Sequence, residues 1–537
     1  MATGSMTFVL HSHMPYCRLA GRWPHGEEWF HEAMLECYLP LLGALRRLGG
    51  RLPAPLGVTM NITPILAEQM ADPLMLDHFR TYLADRQRRA STDMERFSDE
   101  SEFAATAQFH AARYQAASDL LEHDLRGDII AGFRALEDSG HIEIATCAAT
   151  HGYLPLLGDD DAIRFQVETG VRTHERLFGQ RPRSFWLPEC AYRPGLETFL
   201  QEAGIELFFV ETHLVTGGHT RGKALGGVHG PYPEMPIEVP ASSPAPDGPG
   251  TTFRAYTVGD SDVAVLARTE RTGKQVWSAT HGYPGDAAYR EFHKKDEQTG
   301  LQYWRVTGPE VDLGSKAAYD PAAAAIVTRN QAGHFPGIVV AELDAYRRET
   351  GRDGLVMASY DTELFGHWWL EGVNWLEQTI ANLASEPGVE LLNAEQVVAR
   401  GRPLETISMP EGSWGGGGDH RTWLNEATAW TWPEVQSRQA RAKGLLGRDD
   451  AATRQLAREL LLLQSSDWQF LITTEQAREY ATERFREHCA RFDRIASAIE
   501  TRDPGLGAIV RVIGEIDNPF ADIQPLLYAH ARELAPA

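Results

Sequence analysis

Seven short stretches of the chain are β-like, most of them apolar on both alternating faces: "MTFVL" (6–10), "LGVTMNI" (56–62), "IEIATC" (142–147), "SFWLP" (184–188), "ELFFV" (206–210), "VAVLA" (263–267) and "LVMASY" (355–360). A strand with one wet face alternates apolar and polar residues. An uninterrupted apolar run needs cover on both sides, which is the condition of a strand inside a parallel sheet. Helical patterns separate several of the runs, for example "HEAMLECYLPLLGALRRLG" (31–49) and "DAIRFQVETGVRTHERLFG" (161–179). This alternation predicts an α/β fold built on a parallel sheet, closed or open.

The spacing between runs is uneven. Residues at about 77–138 are charged and amphipathic and read as a helical excursion from the sheet. Residues 216–252 are rich in Gly, Pro and Ser and read as a long loop, which in a compact domain is usually functional or mobile. Beyond the irregular stretch 402–420 the pattern is helical to the end, as in "TRQLARELLLLQSSDW". The expected division is a catalytic barrel over residues 1–404 and an all-helical C-terminal domain over 405–537.

The residues that follow each run carry the chemistry. Run one leads into His11-Ser12-His13, run three into His151, run four into Glu189, run five into Glu211 and His213, run six into Arg268, and run seven into Asp361, Glu363 and His367. Ligands of parallel α/β folds sit at the carboxyl ends of the strands. A single acid at a strand end is ordinarily solvated or caps a helix. Five of seven runs ending on His, Asp or Glu point instead to one shared site. Two carboxylates facing one cleft suit glycosidic bond chemistry.

Tryptophans strengthen that reading, because their faces stack on the C–H-rich faces of sugars. Of the 13 in the chain, Trp23, Trp186, Trp277, Trp368, Trp369, Trp414 and Trp423 lie near the motifs. Trp186 and Trp369 sit inside apolar runs and are expected in the core. Trp414 and Trp423 flank "GGGGDHRT" and are expected to be exposed. The net charge of −23 disfavours nucleic acid and anionic membranes and favours a neutral substrate. Five scattered cysteines without a CxxC, no leader-like N-terminus and no apolar run of about 18 residues lead us to expect a cytoplasmic protein with free thiols and no membrane span.

Two rival classes remain at this point. His11 and His13, with Asp361 or His151, would make a metal site and a metal-dependent carbohydrate deacetylase, although HExxH and paired cysteines are missing. A non-catalytic glycan binder would keep the tryptophans and need no paired acids. "GGGG" (415–418) lacks the Lys-Ser/Thr of a phosphate loop and reads as a flexible loop.

The segments "HSHMPY", "IEIATCAATHGY", "FWLPECAY", "YDTELFGHWWLEG" and "SWGGGGDHRTWLNE" together resemble, in order and spacing, the conserved segments of glycoside hydrolase family 57. Within the family, "HGEEWFHEAMLECYLPLL", "QVWSATHGYPGDAAYREFHKKD" and "SSDW" (465–468) look like its 1,4-α-glucan branching enzymes. The resemblance implies a seven-stranded (β/α) barrel, a distorted TIM-like fold, with a helical C-terminal domain. It implies a retaining mechanism on an α-glucan such as amylose, glycogen or a starch-like polysaccharide, with no cofactor and no metal. Glu189 would be the nucleophile and Asp361 the acid/base. His11, His13 and His151 would line the donor subsite, with Trp23, Trp277, Trp414 and Trp423 along the cleft and Arg268 and Asp467 as further substrate contacts. Trp414 and Trp423 would serve the acceptor. Tyr232 is the nearest candidate for the tyrosine that covers the cleft in such enzymes. A 4-α-glucanotransferase or an α-amylase of the same family is the alternative.

In a retaining mechanism the paired carboxyl groups lie about 5–5.5 Å apart. Glu189 must be charged to attack, and Asp361 must hold a proton, which the charge of Glu189 would help it keep. Glu363, expected on the same side of the strand two residues on, is the rival for the acid.

Overall fold

The computed structural model describes residues 4–97, 101–217, 250–277 and 282–529. Ten strands occur among them: β1 (Gly4–Ser12), β2 (Val58–Ile62), β3 (Ile142–Cys147), β4 (Ser184–Trp186), β5 (Leu207–Val210), β6 (Tyr256–Val258), β7 (Ala264–Ala267), β8 (Gly354–Asp361), β9 (Val389–Leu391) and β10 (Glu405–Ile407). They form one sheet in the order β10-β6-β7-β5-β4-β3-β2-β1-β8, with β9 also on β1. The pairings are parallel except β6 with β7. The sheet curls until the chain just past β7 meets β8: Thr269 N donates to Met357 O at 2.9 Å, and Met357 N donates to Thr269 Oγ1 at 3.2 Å.

The seven apolar runs are β1, β2, β3, β4, β5, β7 and β8, which make up this TIM-like ring. Every residue of β2, β3, β4, β5 and β7 is buried, as runs with two apolar faces require. The other three strands have three residues each, too few for a periodic pattern. The expected domain boundary at 405 falls on β10, which pairs with β6.

The helical excursion lies between β2 and β3. It comprises helices Pro73–Arg96, Ala104–Asp119 and Ile129–Asp138, with a π-turn at Leu120–Asp124. Asp72 starts the first by accepting from the N–H groups of Leu74 and Met75. A second π-turn, Met34–Tyr38, interrupts the helix that otherwise runs from Glu27 to Gly49. Beyond β10, helices Thr431–Lys443, Ala451–Leu463, Asp467–Thr474, Arg478–Thr501, Leu506–Ile516 and Leu526–Ala529 follow. They share a hydrophobic core with the barrel, where Leu456, Leu460 and Trp468 lie with Phe165, Phe185 and Phe208. The N-terminus of helix Asp467–Thr474 therefore reaches the mouth of the barrel.

Candidate active site

The register of β1 sets the first row of the site. His11 pairs with Asn61 of β2 on one side and with Asp361 of β8 on the other. Asn61 donates its amide to the carbonyls of Ala145 and Thr146 at 3.0 and 2.7 Å, so its Oδ1 faces His11 Nδ1, 2.7 Å away. A carbonyl oxygen only accepts, so His11 carries its proton on Nδ1. Burial, with His13 nearby, holds its pKa well below the usual value, so the ring is neutral.

The rings stack in a column. His11 lies 4.6 Å from Trp186 and 5.1 Å from His151, and His151 lies 3.9 Å from His13. His151 is also neutral through burial and through His13 and His11. Its Nδ1 meets Ser466 Oγ at 2.9 Å, while Nε2 is buried without a protein partner. His13 differs. Its Nδ1 meets Thr63 Oγ1 at 3.1 Å and its Nε2 meets Asp467 Oδ1 at 3.0 Å. Burial pushes its pKa down, but Asp467, with Glu189 and Glu363 behind it, pushes it further up, and the net shift is upward. Ser465 Oγ steadies Asp467 by donating to Oδ2 at 2.5 Å.

Glu189 follows β4 on a turn (Pro188–Cys190) in which Glu189 and Cys190 both take left-handed backbone angles, φ 62° and 48°. Non-glycine residues rarely sit there, and such strain gathers at functional sites. His151 is a third, with φ 57°. The strain is held by the loop carrying Trp414. Tyr192 and Gly412 exchange backbone hydrogen bonds of 2.8 and 3.0 Å, and Trp414 N donates to Glu189 O at 3.0 Å. The indole Nε1 of Trp414 then donates to Glu189 Oε2 at 2.7 Å. Burial pushes the Glu189 carboxyl up to about 7, and the charge of Asp361 adds to that, while the Trp414 hydrogen bond and His13 pull it down. The carboxyl of Glu189 is thus itself pushed upward, as is that of Glu363.

Glu363 is not where an extended strand would put it. β8 ends at Asp361 and the chain enters a 3-10 turn, Thr362–Leu364, so the two-residue periodicity stops. Glu363 points into protein, where its Oε1 accepts from the phenol of Tyr38 and from His13 N. Asp361 stays partly exposed at the strand end.

The structure therefore gathers His11, His13, His151, Glu189, Asp361, Trp414 and Asp467 at one mouth. Arg268 makes an ion pair with Glu211 at 2.5 Å. Trp23 is 78% exposed, and Trp277 is half-buried with its ring 6.1 Å from Trp368. Tyr232 lies outside the described residues. Trp186 and Trp369 are in the core, at 0% and 2% exposure, as expected. Trp423 is a correction: it is 0% exposed, stacked 4.4 Å from Tyr153, and has no free face for a sugar. Its ring fills the space left by Gly415, where a Cβ would lie 2.6 Å from it. Trp414 is half-buried, with its indole N–H bonded to Glu189. Sequence reasoning did not single out Tyr38, Asn61, Thr63 and Ser466, the polar partners of the site's acids and histidines, although Tyr38 and Ser466 lie inside segments quoted for the resemblance.

A test of the Trp423 correction is direct. Trp423→Ala will destabilise the fold by about 3–5 kcal/mol, the range for removing a large buried aromatic, and chemical denaturation will read it. Unchanged stability with weakened glucan binding would restore the cleft role.

Among the described residues, Glu459, His488 and Asp517 bring three possible metal-donor atoms together, in the C-terminal helices. Arg491 already pairs with Asp517 at 2.7 Å, and Arg484 donates to His488 Nε2 at 3.1 Å. The donor atoms are thus already engaged: Asp517 by Arg491, and His488 by Glu459 and Arg484. At the barrel mouth both nitrogens of His13 are occupied by Thr63 and Asp467.

The family model described as glycosyl hydrolase family 57 matches residues 7–410, and that described as 1,4-alpha-glucan branching enzyme, C-terminal, matches 434–528. A 1,4-alpha-glucan branching enzyme of Thermococcus kodakarensis is 42% identical over 97% of this chain and 78% of its own length. A crystal structure of a branching enzyme from that organism, in complex with glucose and additives, superposes with a TM-score of 0.89 at 40% identity, covering 98% of this chain and 96% of the other. The alpha-amylase AmyC of Thermotoga maritima superposes at 0.84 with 26% identity, over 98% and 99%. With two profiles spanning most of its length and a relative 42% identical over 97% of it, the chain belongs to glycosyl hydrolase family 57.

Proposed function

We propose that this chain is a retaining 1,4-α-glucan branching enzyme in which Glu189 is the nucleophile and Asp361 the acid/base. The observation that carries the reading is the Glu189 turn: a carboxylate on strained backbone, oriented by the Trp414 indole and in electrostatic reach of Asp361. Glu189 Oε attacks C1 of a glucosyl unit and forms an ester, while Asp361 gives its proton to the departing 4-oxygen. The 6-hydroxyl of another chain then attacks C1, Asp361 takes its proton, and Glu189 leaves. Neutral His11 and His151 and the hydrogen-bonded pair His13–Asp467 would orient sugar hydroxyls. The substrate is an α-1,4-glucan such as amylose, and the product a glycogen-like polymer. No helix of the described residues is long and apolar enough to cross a membrane, and all five cysteines are buried free thiols, which accords with work in a reducing cytoplasm.

The experiment is product analysis on amylose with enzyme dialysed against a strong chelator. New 1,6 linkages, formed at the undialysed rate, are expected. Reducing ends without 1,6 linkages would make the chain an amylase. Activity lost on dialysis and restored by zinc would overturn the metal-independent mechanism.

A further inference from the structure

The turn after β8 carries a buried acid to which the proposed chemistry gives no part. Glu363 is 7% exposed, and its Oε1 accepts from His13 N at 3.1 Å and from the Tyr38 phenol. Tyr38 is itself 0% exposed. Burial and the neighbouring Glu363 hold its pKa well above the ordinary phenol range, so it stays a donor. Two donors on one oxygen fix the Glu363 side chain.

Tyr38 reaches Glu363 because of the π-turn Met34–Tyr38. Such turns insert a residue into a helix, re-aim its side chains and recur at functional sites. Here three successive residues grip the segment that follows Asp361. Glu36 Oε2 meets His367 Nδ1 at 2.7 Å. Cys37 Sγ donates to Thr362 O at 3.0 Å. Tyr38 takes Glu363. The helix backbone comes so close that a Cβ at Gly366 would lie 1.9 Å from Glu36 O. From the other side, Ser12 Oγ of β1 meets Thr362 Oγ1 at 2.8 Å. The titratable groups facing Glu363 are Asp361 on its own segment, His13 from the end of β1, and Cys37 and Tyr38 from the helix.

We propose that Glu363 and Tyr38 form a positioning pair for the acid/base: they lock the Asp361 strand end against His13, and the Glu363 carboxyl is the neighbouring acid whose charge keeps the Asp361 proton in place as the solution turns alkaline. The proposal rests on the assignment of Asp361 above. Burial and Asp361 push Glu363 up to about 7, so it gains charge across the neutral range. Each increment of negative charge there opposes loss of the proton from Asp361.

The test compares Glu363→Gln, Tyr38→Phe and Asp361→Asn by kcat and KM on amylose from about pH 5 to about pH 9. Glutamine keeps the shape and the accepting oxygen but never charges. Phenylalanine removes the hydrogen bond that favours the charged carboxylate, so Glu363 stays neutral to higher pH. Both lose the anionic neighbour, and both should move the alkaline limb of kcat/KM down by ~0.5–1 unit. We expect kcat to fall roughly 10–100-fold, with KM changed less than about threefold, and the melting temperature of Glu363→Gln to stay near that of the parent. An unmoved alkaline limb in both variants, with Asp361→Asn inactive, overturns the proposal alone. An active Asp361→Asn, or Glu363→Gln as inactive as Asp361→Asn, overturns the acid/base assignment and the proposal with it.

Discussion

Replacing Glu189 with alanine will lower turnover on amylose by roughly four orders of magnitude, the scale of removing a covalent nucleophile, without unfolding the chain. The backbone at 189 is already left-handed, so alanine inherits the strain and does not add to it. The cavity it opens lies beside the Trp414 indole, whose N–H loses its partner and points at the vacancy. A small anion such as azide will enter it. With a donor that needs little acid assistance, such as α-maltosyl fluoride, azide will attack C1 from the face Glu189 held and give the β-glycosyl azide. Absence of rescue, with full activity loss, would leave Glu189 a structural acid. The pH dependence follows from the same site. Glu189 must be charged to attack and its carboxyl is pushed up to about 7, so kcat/KM will fall as pH drops through that value. The Trp414 hydrogen bond favours the charged form, so Trp414→Phe will move this acid limb to higher pH. A limb that stays fixed would mean the indole bond does not tune the carboxyl.

Asp361→Ala will behave differently, and the difference separates the two roles. Amylose leaves as an alkoxide unless its oxygen is protonated, so turnover on amylose will fall by ~10²–10⁴-fold, the range for losing a general acid. α-Maltosyl fluoride needs no such proton to depart, so ester formation at Glu189 will continue near the parent rate. The ester will then wait for an acceptor that needs no base. Azide will take it and give the α-glycosyl azide, the opposite anomer from the Glu189→Ala product. Identical losses on both donors, or a β-azide here, would show that Asp361 is not the acid/base.

The barrel was legible because a parallel strand buried on both faces is written as a mainly apolar run, as most of the seven were. Glu189, Asp361 and the histidines were legible because the ends of such strands converge. What escaped depends on contacts with no local signature. Trp423 was misjudged because glycine beside an aromatic looks like an open loop, whereas Gly415 lacks a side chain so that the ring can fill its place. Glu363 was put on the face of a strand that had already ended, since nothing in "SYDTEL" marks the turn at Thr362. Tyr38 belongs to a helix 325 positions from its partner, and only the inserted residue of the π-turn aims it there. The upward push on Glu189 was not legible, because burial causes it and an indole 225 positions away opposes it.

The contact between His13 and Asp467 spans 454 positions, and this has a consequence for how activity is born. At ribosomal rates of ~5–20 residues per second, His13 waits roughly 20–90 s after it is made before its carboxylate partner exists. Ser466, which holds His151, arrives in the same late stretch. A nascent or prematurely terminated chain can hold both Glu189 and Asp361 and still lack the His13–Asp467 and His151–Ser466 contacts. On the proposed reading, competence to cut glucan is withheld until Ser466 and Asp467 have been made.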